Sequence, residues 1–311
     1  LITRRIAPSA GLDNPTLNVG KMRNQGFELE LNWNDKISDF EYNVGFNIST
    51  IANKVVALAN EDQTIYGVGL KYGSEHFPTQ TKVGKPIGAF YLYQADGIFQ
   101  SLEEVQAHKN SKGELLQPNA QPGDVRFKDM NGDGVIDEDD KTYSGTGIAK
   151  VEANLNLGAS YKGFDFSAVI GSAFGNKLYN GIRYYYEGMN SGSNFLKTTL
   201  NAWTPTNTKT DIPRAVFGDP NQNTRESTRF LENGDFVRLR QVQLGYTLPK
   251  ALSKHIYCES IRFYVSAENV FTITGYSGAN PEFSQGVLNS GVDRFTYPFS
   301  RSYTVGAQVS F

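Results

Sequence analysis

Residues 151–161 read VEANLNLGASY, and this stretch decides the fold class of the chain. Its apolar residues occupy every second position and alternate with glutamate, asparagine, glycine and serine. Successive side chains of a β-strand point to opposite faces, so the pattern predicts a strand with one apolar and one polar face. The same alternation recurs in residues 27–33, 40–49 and 164–170. The sequence therefore predicts an all-β protein.

The composition of the 311-residue chain agrees with this prediction and excludes several classes of protein. The 31 glycines, 17 tyrosines and 20 phenylalanines favour strands and turns. The balance of 30 basic and 32 acidic side chains argues against a nucleic-acid partner. A single cysteine, Cys258, excludes a disulfide framework. The chain starts at Leu1 in strand-like sequence, so we expect it to be a piece of a longer protein.

The spacing of the turns distinguishes the two environments that can cover an apolar sheet face, which are a soluble core and lipid. Tight turns at 33–38 and 161–164 alternate with long polar stretches, which fall at 8–20, 53–76, 99–147, 177–234 and 274–299. Short turns at one end and long loops at the other are typical of outer-membrane β-barrels. The alternative is a soluble, secreted β-sandwich that is stabilised by calcium and binds carbohydrate.

Counting back from the C-terminus predicts about ten antiparallel strands. They fall at 1–7, 21–34, 38–52, 79–84, 87–98, 148–161, 164–176, 235–247, 259–273 and in the last residues of the chain. Helix is expected only as a short turn around Leu102–His108. Ten strands alone would leave two open edges in lipid, where unpaired backbone groups are too costly. We therefore expect the chain to complete a larger barrel with other strands.

The last strand carries a pattern that is typical of outer-membrane proteins. Apolar residues alternate with polar ones, and the chain stops on an aromatic residue. This pattern resembles the signal by which such barrels are recognised for assembly, and the alternative is an ordinary edge strand. The predicted assembly signal consists of Tyr303, Val305, Ala307, Val309 and Phe311.

A series of motifs along the chain resembles the SusC/RagA family of TonB-linked outer-membrane transporters. The motifs are GKPIGAFY at 84–91, ADGIF at 95–99, PGDVRFKD at 122–129, NGDG at 131–134, WTP at 203–205, DIPR at 211–214, FVRLR at 236–240, LGYTLP at 244–249 and AENVFTITG at 267–275. The resemblance implies that residues 1–311 are the C-terminal part of a 22-stranded transmembrane β-barrel with long extracellular loops. The family's plug domain, TonB-contacting segment and N-terminal strands have no counterpart in this chain.

The resemblance also implies a function and a set of partners. Members of the family import oligomeric glycans, and in some cases peptides, across the bacterial outer membrane. They act with a SusD-like surface lipoprotein and draw energy from TonB, so the expected partners also include the remaining barrel and plug, outer-membrane lipid and the oligosaccharide or peptide itself. The family is not enzymatic, and no Ser/His/Asp or Cys/His arrangement can be argued from this sequence.

Residues 129–140, DMNGDGVIDEDD, match the pattern of a calcium-binding loop. Calcium prefers six to eight oxygen ligands, and oxygen donors recur here at alternate positions. The expected ligands are the side chains of Asp129, Asn131, Asp133, Asp137 and Asp140 and the backbone carbonyl of Val135. Calcium would stabilise this extracellular loop. The alternative is a solvated acidic turn built by aspartate, asparagine and glycine.

Aromatic residues in the 177–234 stretch are candidates for contact with a substrate. Sugar rings stack on aromatic faces, and the candidates are Tyr184, Tyr185 and Trp203. Packing within the loop, an aromatic girdle at the membrane interface and contact with the lipoprotein are the alternatives.

Two arginines interrupt the alternation of a predicted strand. Arg238 and Arg240 fall on the nominal lipid face if Val242 and Leu244 define that face. An arginine at the bilayer midplane costs about 2–4 kcal/mol. We therefore expect both side chains near or above the outer rim of the barrel, or displaced by a β-bulge.

Overall fold

The computed structural model describes residues 2–3, 11, 16–17, 20–59, 63–72, 74–190, 192, 194–255, 257–283 and 285–311. The α-helices of the described part, α1 to α3, are Leu102–Ala107, Gly181–Tyr186 and Lys250–His255, and short 3-10 helices span Glu138–Asp140, Lys197–Asn201, Thr228–Phe230 and Val287–Asn289. No helix among these residues is long and apolar enough to cross a membrane. The short helix that the sequence predicts around Leu102–His108 is confirmed as α1.

β-strands are the main regular secondary structure of the described chain, as the sequence predicts. The strands, numbered β1 to β22 in chain order, are Ile2–Thr3, Thr16–Leu17, Lys21–Gln25, Glu28–Ile37, Phe40–Thr50, Ala52–Ala57, Ile65–Tyr66, Leu70–Tyr72, Ser74–His76, Thr79–Thr81, Ala89–Leu92, Ala95–Ile98, Val125–Phe127, Thr142–Thr146, Val151–Tyr161, Phe164–Phe174, Lys177–Asn180, Leu231–Asn233, Phe236–Thr247, Ser260–Thr274, Val292–Asp293 and Ser302–Ser310.

Seven of these strands form one continuous antiparallel sheet. Their spatial order is β22, β20, β19, β16, β15, β5 and β4. The pairing of β15 is unbroken on both sides, from Tyr161 opposite Phe40 and Phe164 to Val151 opposite Thr50 and Phe174. In the described residues β4 and β22 are the edges of this sheet. The antiparallel, all-β prediction is thus confirmed.

The register lines up apolar side chains of neighbouring strands on one face of this sheet. One such row consists of Leu31, Phe46, Leu155, Ile170, Leu239 and Phe271. Apolar side chains on this face remain accessible, with Trp33 62% and Ile273 66% exposed. The opposite face is mainly polar. This is the pattern of a barrel wall whose outer face meets hydrocarbon.

Short connections join the strands at one end of the sheet. Ser38 and Asp39 link β4 to β5, and Lys162 and Gly163 link β15 to β16. Lys162 and Gly163 have positive φ angles of 46° and 89°. Two successive residues with positive φ suit the twist of a tight β-hairpin. The third connection at this end, 248–259, contains α3.

Three long connections leave the opposite end of the sheet: loop 1 (51–150), loop 2 (175–235) and loop 3 (275–301). They form small sheets of their own. Strands β7, β10, β11 and β14 of loop 1 make a four-stranded sheet. In loop 2, β17 lies between β18 and β21, and it pairs in parallel with β21 of loop 3. Loop 3 is therefore built into the structure of loop 2.

A hydrophobic core lies among the three loops. Its fully buried residues are Leu70, Phe90 and Leu92 of loop 1, Tyr179, Tyr184 and Phe230 of loop 2, and Val292 of loop 3. Loops 1 and 3 also approach closely at glycines, because a Cβ on Gly147 would lie 2.1 Å from the carbonyl oxygen of Ser290. The three loops thus pack as one body, which we call the loop body.

The assignment of residues 79–84 and 87–98 to the main sheet is wrong. β5 pairs directly with β15, so no strand lies between them. Thr79–Thr81 and Ala89–Leu92 do form strands, but in the loop body, where most of their side chains are buried on both faces. The described main sheet accordingly has seven strands instead of ten. Most of the predicted strand 1–7 lies outside the described residues.

Candidate functional site

The polar face of the main sheet is the first candidate surface. β4, β5 and β15 line it with amide side chains, namely Asn32, Asn34, Asn43, Asn47, Asn154 and Asn156. Asn154 Nδ2 donates to Asn47 Oδ1 at 3.0 Å across the strand pair. An amide both donates and accepts hydrogen bonds, so this wall is suited to water or to a neutral polar ligand.

A β-bulge displaces the two arginines of β19 from the apolar face. Leu239 lies opposite Ile170, and Gln241 lies opposite the preceding residue of β16, so Arg240 is the extra residue. A bulge re-aims side chains in this way. Arg238 and Arg240 both point to the polar face, while the apolar positions on either side keep their facing. The expectation of a bulge is confirmed.

Both arginines contact one carboxylate of loop 3. Arg238 Nη1 donates to Glu282 Oε2 at 2.8 Å, and Arg240 Nη2 donates to Glu282 Oε1 at 2.9 Å. Arg238 also donates to Thr272 and Asn280 and is buried, with 3% of its side chain exposed. Loop 3 is thereby fixed to the polar face of the sheet. The sequence carried no signal for this pairing, because Glu282 is more than 40 residues away from both arginines.

A buried charge cluster holds loop 1 against loop 2. Lys141 Nζ donates to Glu226 Oε1 and to Glu138 Oε2, each at 2.6 Å, and His76 Nδ1 makes a short hydrogen bond with Glu226. Burial alone would raise the pKa of Glu226, but the His76 hydrogen bond and the charge of Lys141 outweigh it and lower that pKa to about 2. Glu226 is therefore ionised at neutral pH despite its burial.

A second cluster joins the start and the end of loop 2. Arg183 of α2 donates to Glu187, Glu232 and Asp211. Arg229 donates to Glu187 at 3.0 Å, and burial lowers its pKa to about 10. These paired charges connect α2, the middle of loop 2 and its last strand.

The predicted calcium loop forms a series of turns. The carboxylate of Asp140 is fully buried and accepts the backbone amides of Met130 and Asp137 at 2.6 and 2.8 Å. Asp129 accepts the amides of Gly132 and Gly134 at 2.6 and 2.9 Å. The described residues contain no group of three His, Cys, Asp or Glu side chains arranged for a metal ion. The donor set is all oxygen, which suits calcium, and calcium binding stays a prediction.

The three aromatic candidates lie in different environments. Tyr184 is fully buried in the core of the loop body. Trp203 is 8% exposed and donates from Nε1 to Gln100 Oε1 at 2.9 Å. Tyr185 is half-buried, and its ring lies 5.4 Å from that of Phe295. Tyr184 and Trp203 are thus packed inside the loop body, whereas Tyr185 is partly accessible. Contact of the three side chains with a substrate stays a prediction.

The predicted assembly signal lies on the edge strand β22. Ala307 pairs with Phe263 and Val309 pairs with Ile261, on the apolar face of the sheet. Val305 and Phe311 are 84% and 92% exposed. The alternation is confirmed in the fold, whereas the role of these residues in assembly stays a prediction.

Two curated relatives resemble the chain in sequence. TonB-dependent receptor P3 of Formosa agariphila is 29% identical over 324 residues, and the TonB-dependent receptor SusC of Bacteroides thetaiotaomicron is 26% identical over 306 residues. These alignments cover 100% and 95% of this chain but only 31% and 27% of the relatives. The chain thus spans about a third of the length of the relatives it matches.

A solved structure resembles the chain in fold. The RagAB peptide transporter matches it with a TM-score of 0.75 and 26% identity, over 100% of this chain and 32% of that one. No family model matches the chain. The sequence similarity, the fold similarity and the exposed apolar face all indicate an outer-membrane β-barrel wall. The chain therefore resembles the SusC/RagA-type TonB-dependent transporters throughout its length, and it forms part of the wall of an outer-membrane β-barrel of that kind.

Proposed function

We propose that the protein containing this chain imports an oligomeric nutrient, a glycan or a peptide, across the bacterial outer membrane. Energy would come from TonB through a part of the protein outside this chain. A SusD-like surface lipoprotein would deliver the oligomer to the loop body. The chain itself would supply wall strands, the polar face that the substrate passes, and three of the extracellular loops. It would carry out no catalysis.

One observation carries this proposal. The match to TonB-dependent receptors and to a peptide transporter runs over the whole chain, through the wall strands and the long loops alike. The loops of this chain also pack into one body at a single end of the sheet. Such a body suits contact with a large partner or substrate better than separate mobile loops would.

The alternative, a soluble β-sandwich, receives no support from the fold. A sandwich buries the apolar face of one sheet against a second sheet. Here the apolar face stays accessible in the described residues, with Leu31 55% and Phe263 51% exposed. The main hydrophobic core lies among the loops instead.

The experiment is an uptake assay in the native host. Cells lacking the gene should fail to accumulate one class of fluorescently labelled oligomer, either glycan or peptide, and the full-length gene should restore uptake. Restoration should disappear when TonB is deleted as well. Unchanged uptake of both classes in the deletion strain would contradict the proposal, whereas loss of one class would identify the substrate.

We also propose that the 129–140 loop binds calcium as a structural ion. The spacing of the oxygen donors Asp129, Asn131 and Asp133 supports this proposal.

A further inference from the structure

We propose that Arg238 and Arg240 form a binding site for a carboxylate of the imported oligomer, and that Glu282 occupies this site when no ligand is bound. The inference rests on the proposed import function, because it takes the polar face of the sheet as a wall of the transport path. The ligand class would be an oligomer that carries carboxylates, either an oligosaccharide with uronic acids or a peptide.

Arg238 is held in position by groups other than Glu282. Its Nε donates to Thr272 Oγ1 at 2.9 Å, and its Nη2 donates to Asn280 Oδ1 at 2.6 Å. The ring centroids of Phe236 and Phe299 lie 5.5 and 4.9 Å from its Cζ. A guanidinium fixed in this way loses little conformational freedom when it binds an anion. Arg238 is thus a preorganised half of the site.

Arg240 supplies the accessible half. Its side chain is 39% exposed and forms an ion pair with Glu282. It lies over Gly171, where a Cβ would come within 2.1 Å of its Nε. A guanidinium has five N–H donors, so Arg240 keeps donors available toward the polar face. The glycine makes room for this orientation.

Glu282 is an exchangeable occupant of the site. It gives one oxygen to each arginine, so two cations share one anion. A planar guanidinium can instead bind both oxygens of one carboxylate, which is the stronger geometry. Glu282 is 32% exposed and comes from a loop. If a ligand carboxylate replaced that of Glu282, both arginines would keep an anionic partner. Additional contacts between the oligomer and the polar face would then favour the exchange.

A second ion pair on the polar face differs from this arrangement, because it joins one arginine to one carboxylate. Arg262 donates from Nε and Nη2 to the two oxygens of Asp165, at 2.9 and 2.5 Å. This pair spans Gly245, where a Cβ would meet both side chains. One cation and one anion are matched here in a closed fork. Arg262 therefore serves as the control for a general effect of charge on the polar face.

The test measures binding of defined probes to the purified full-length transporter. The probes are tetragalacturonate, tetra-alanine, the C-terminal amide of tetra-alanine, and neutral maltotetraose. Glu282→Gln should tighten binding of a carboxylate probe about tenfold, and Arg240→Met should weaken it about tenfold, as expected when a charge-assisted hydrogen bond is gained or lost. Arg262→Met should leave the affinity unchanged, and maltotetraose should respond to none of the variants.

The probes distinguish the two sources of the carboxylate. Preference for tetragalacturonate indicates a uronate, and preference for tetra-alanine over its amide indicates a peptide terminus. Failure of every carboxylate probe to bind the Glu282→Gln protein, or equal affinities in the Glu282→Gln and Arg240→Met proteins, would overturn the site. Uptake in cells is measured separately. If cells import an oligomer but the variants do not change probe affinity, the carboxylate site is refuted and the import function stands. If the probes bind as expected but cells import no oligomer, the import function is refuted and the site stands.

Discussion

Lys141 Nζ lies 2.6 Å from Glu226 Oε1, and this ion pair joins loop 1 to loop 2 inside the loop body. The two side chains are 6% and 5% exposed. Water cannot replace either partner at such a position, so removal of one leaves a buried charge that costs about 3–5 kcal/mol. The pair therefore offers a sensitive test of whether the loops form one packed unit.

Replacement of Lys141 by methionine should destabilise the loop body by about 3 kcal/mol, because Glu226 loses its buried cation. The measurement is amide hydrogen exchange in loops 1 and 2 of the full-length protein. The strands of the main sheet should keep their protection. Lys128→Met is the matched control in loop 1, since Lys128 is 52% exposed beside Asp96, and its loss should cost less than about 1 kcal/mol. Equal effects of the two variants would contradict a buried, packed interface.

Acid should loosen the same interface within a defined pH range. The pKa of Glu226 is lowered from an ordinary 4.5 to about 2 in the folded protein. The folded state therefore holds fewer protons, and the stabilisation is present above pH 4.5 and lost as the pH falls to about 2. Protection of the amides in loops 1 and 2, measured as exchange relative to the intrinsic rate at each pH, should fall over this range. Glu226→Gln should remove that pH dependence, and an unchanged acid response in this variant would show that another group is responsible.

Calcium at millimolar concentration should protect residues 99–147 of the full-length protein from proteolysis, compared with the same protein in chelator. The reason is that several carboxylates in one short loop repel each other unless a cation is present. Loops outside cells bind calcium at about 10⁻⁴–10⁻³ M, and the shorter Asp140 at the last position favours the weak end of that range.

The control for this experiment is the double variant Asp129→Ala with Asp133→Ala, which removes two predicted ligands. The variant should show the same cleavage rate with calcium and with chelator. If the unmodified protein were equally protected with calcium and with chelator, and to the same degree as the variant, the motif would be a turn without a calcium site.

Deletion of Phe311 should lower the amount of full-length protein inserted in the outer membrane several-fold. The side chain is 92% exposed, so its loss removes little packing within the described chain. The assembled fraction should keep its affinity for substrate. Phe311→Trp preserves an aromatic side chain at this position and should insert normally. Normal membrane levels after the deletion would show that the alternation in residues 303–311 is not an assembly signal.

The facing of the wall strands could be predicted from the sequence because it depends on local alternation. In residues 151–161 each side chain points away from its neighbours in the chain, and the register then aligns Leu155 with Phe46 and Ile170. Because arginine on the lipid face is too costly, the sequence also left two alternatives for Arg240, a position near the outer rim or a bulge, and the structure has the bulge.

The organisation of the loop body was not predictable, because it depends on pairs far apart in the chain. The predicted strands 79–84 and 87–98 do contain strands, at Thr79–Thr81, Ala89–Leu92 and Ala95–Ile98. Alternation does not reveal which sheet a strand joins. Lys141 and Glu226 are 85 residues apart, and neither lies in a motif that indicates a partner. The burial of Tyr184 likewise follows from packing among three loops. Local sequence patterns carry none of this information.

Paired substitutions on the two faces test whether this sheet is a barrel wall with lipid on its apolar face. Val44 and Leu155 lie on the apolar face, and Asn43 and Asn154 lie on the polar face. The measurement is the folded, heat-modifiable fraction of each full-length variant in the outer membrane. Val44→Arg and Leu155→Arg should each reduce it, because arginine in hydrocarbon costs about 2–4 kcal/mol, whereas Asn43→Ser and Asn154→Ser should be tolerated. Equal tolerance of all four substitutions would contradict the account.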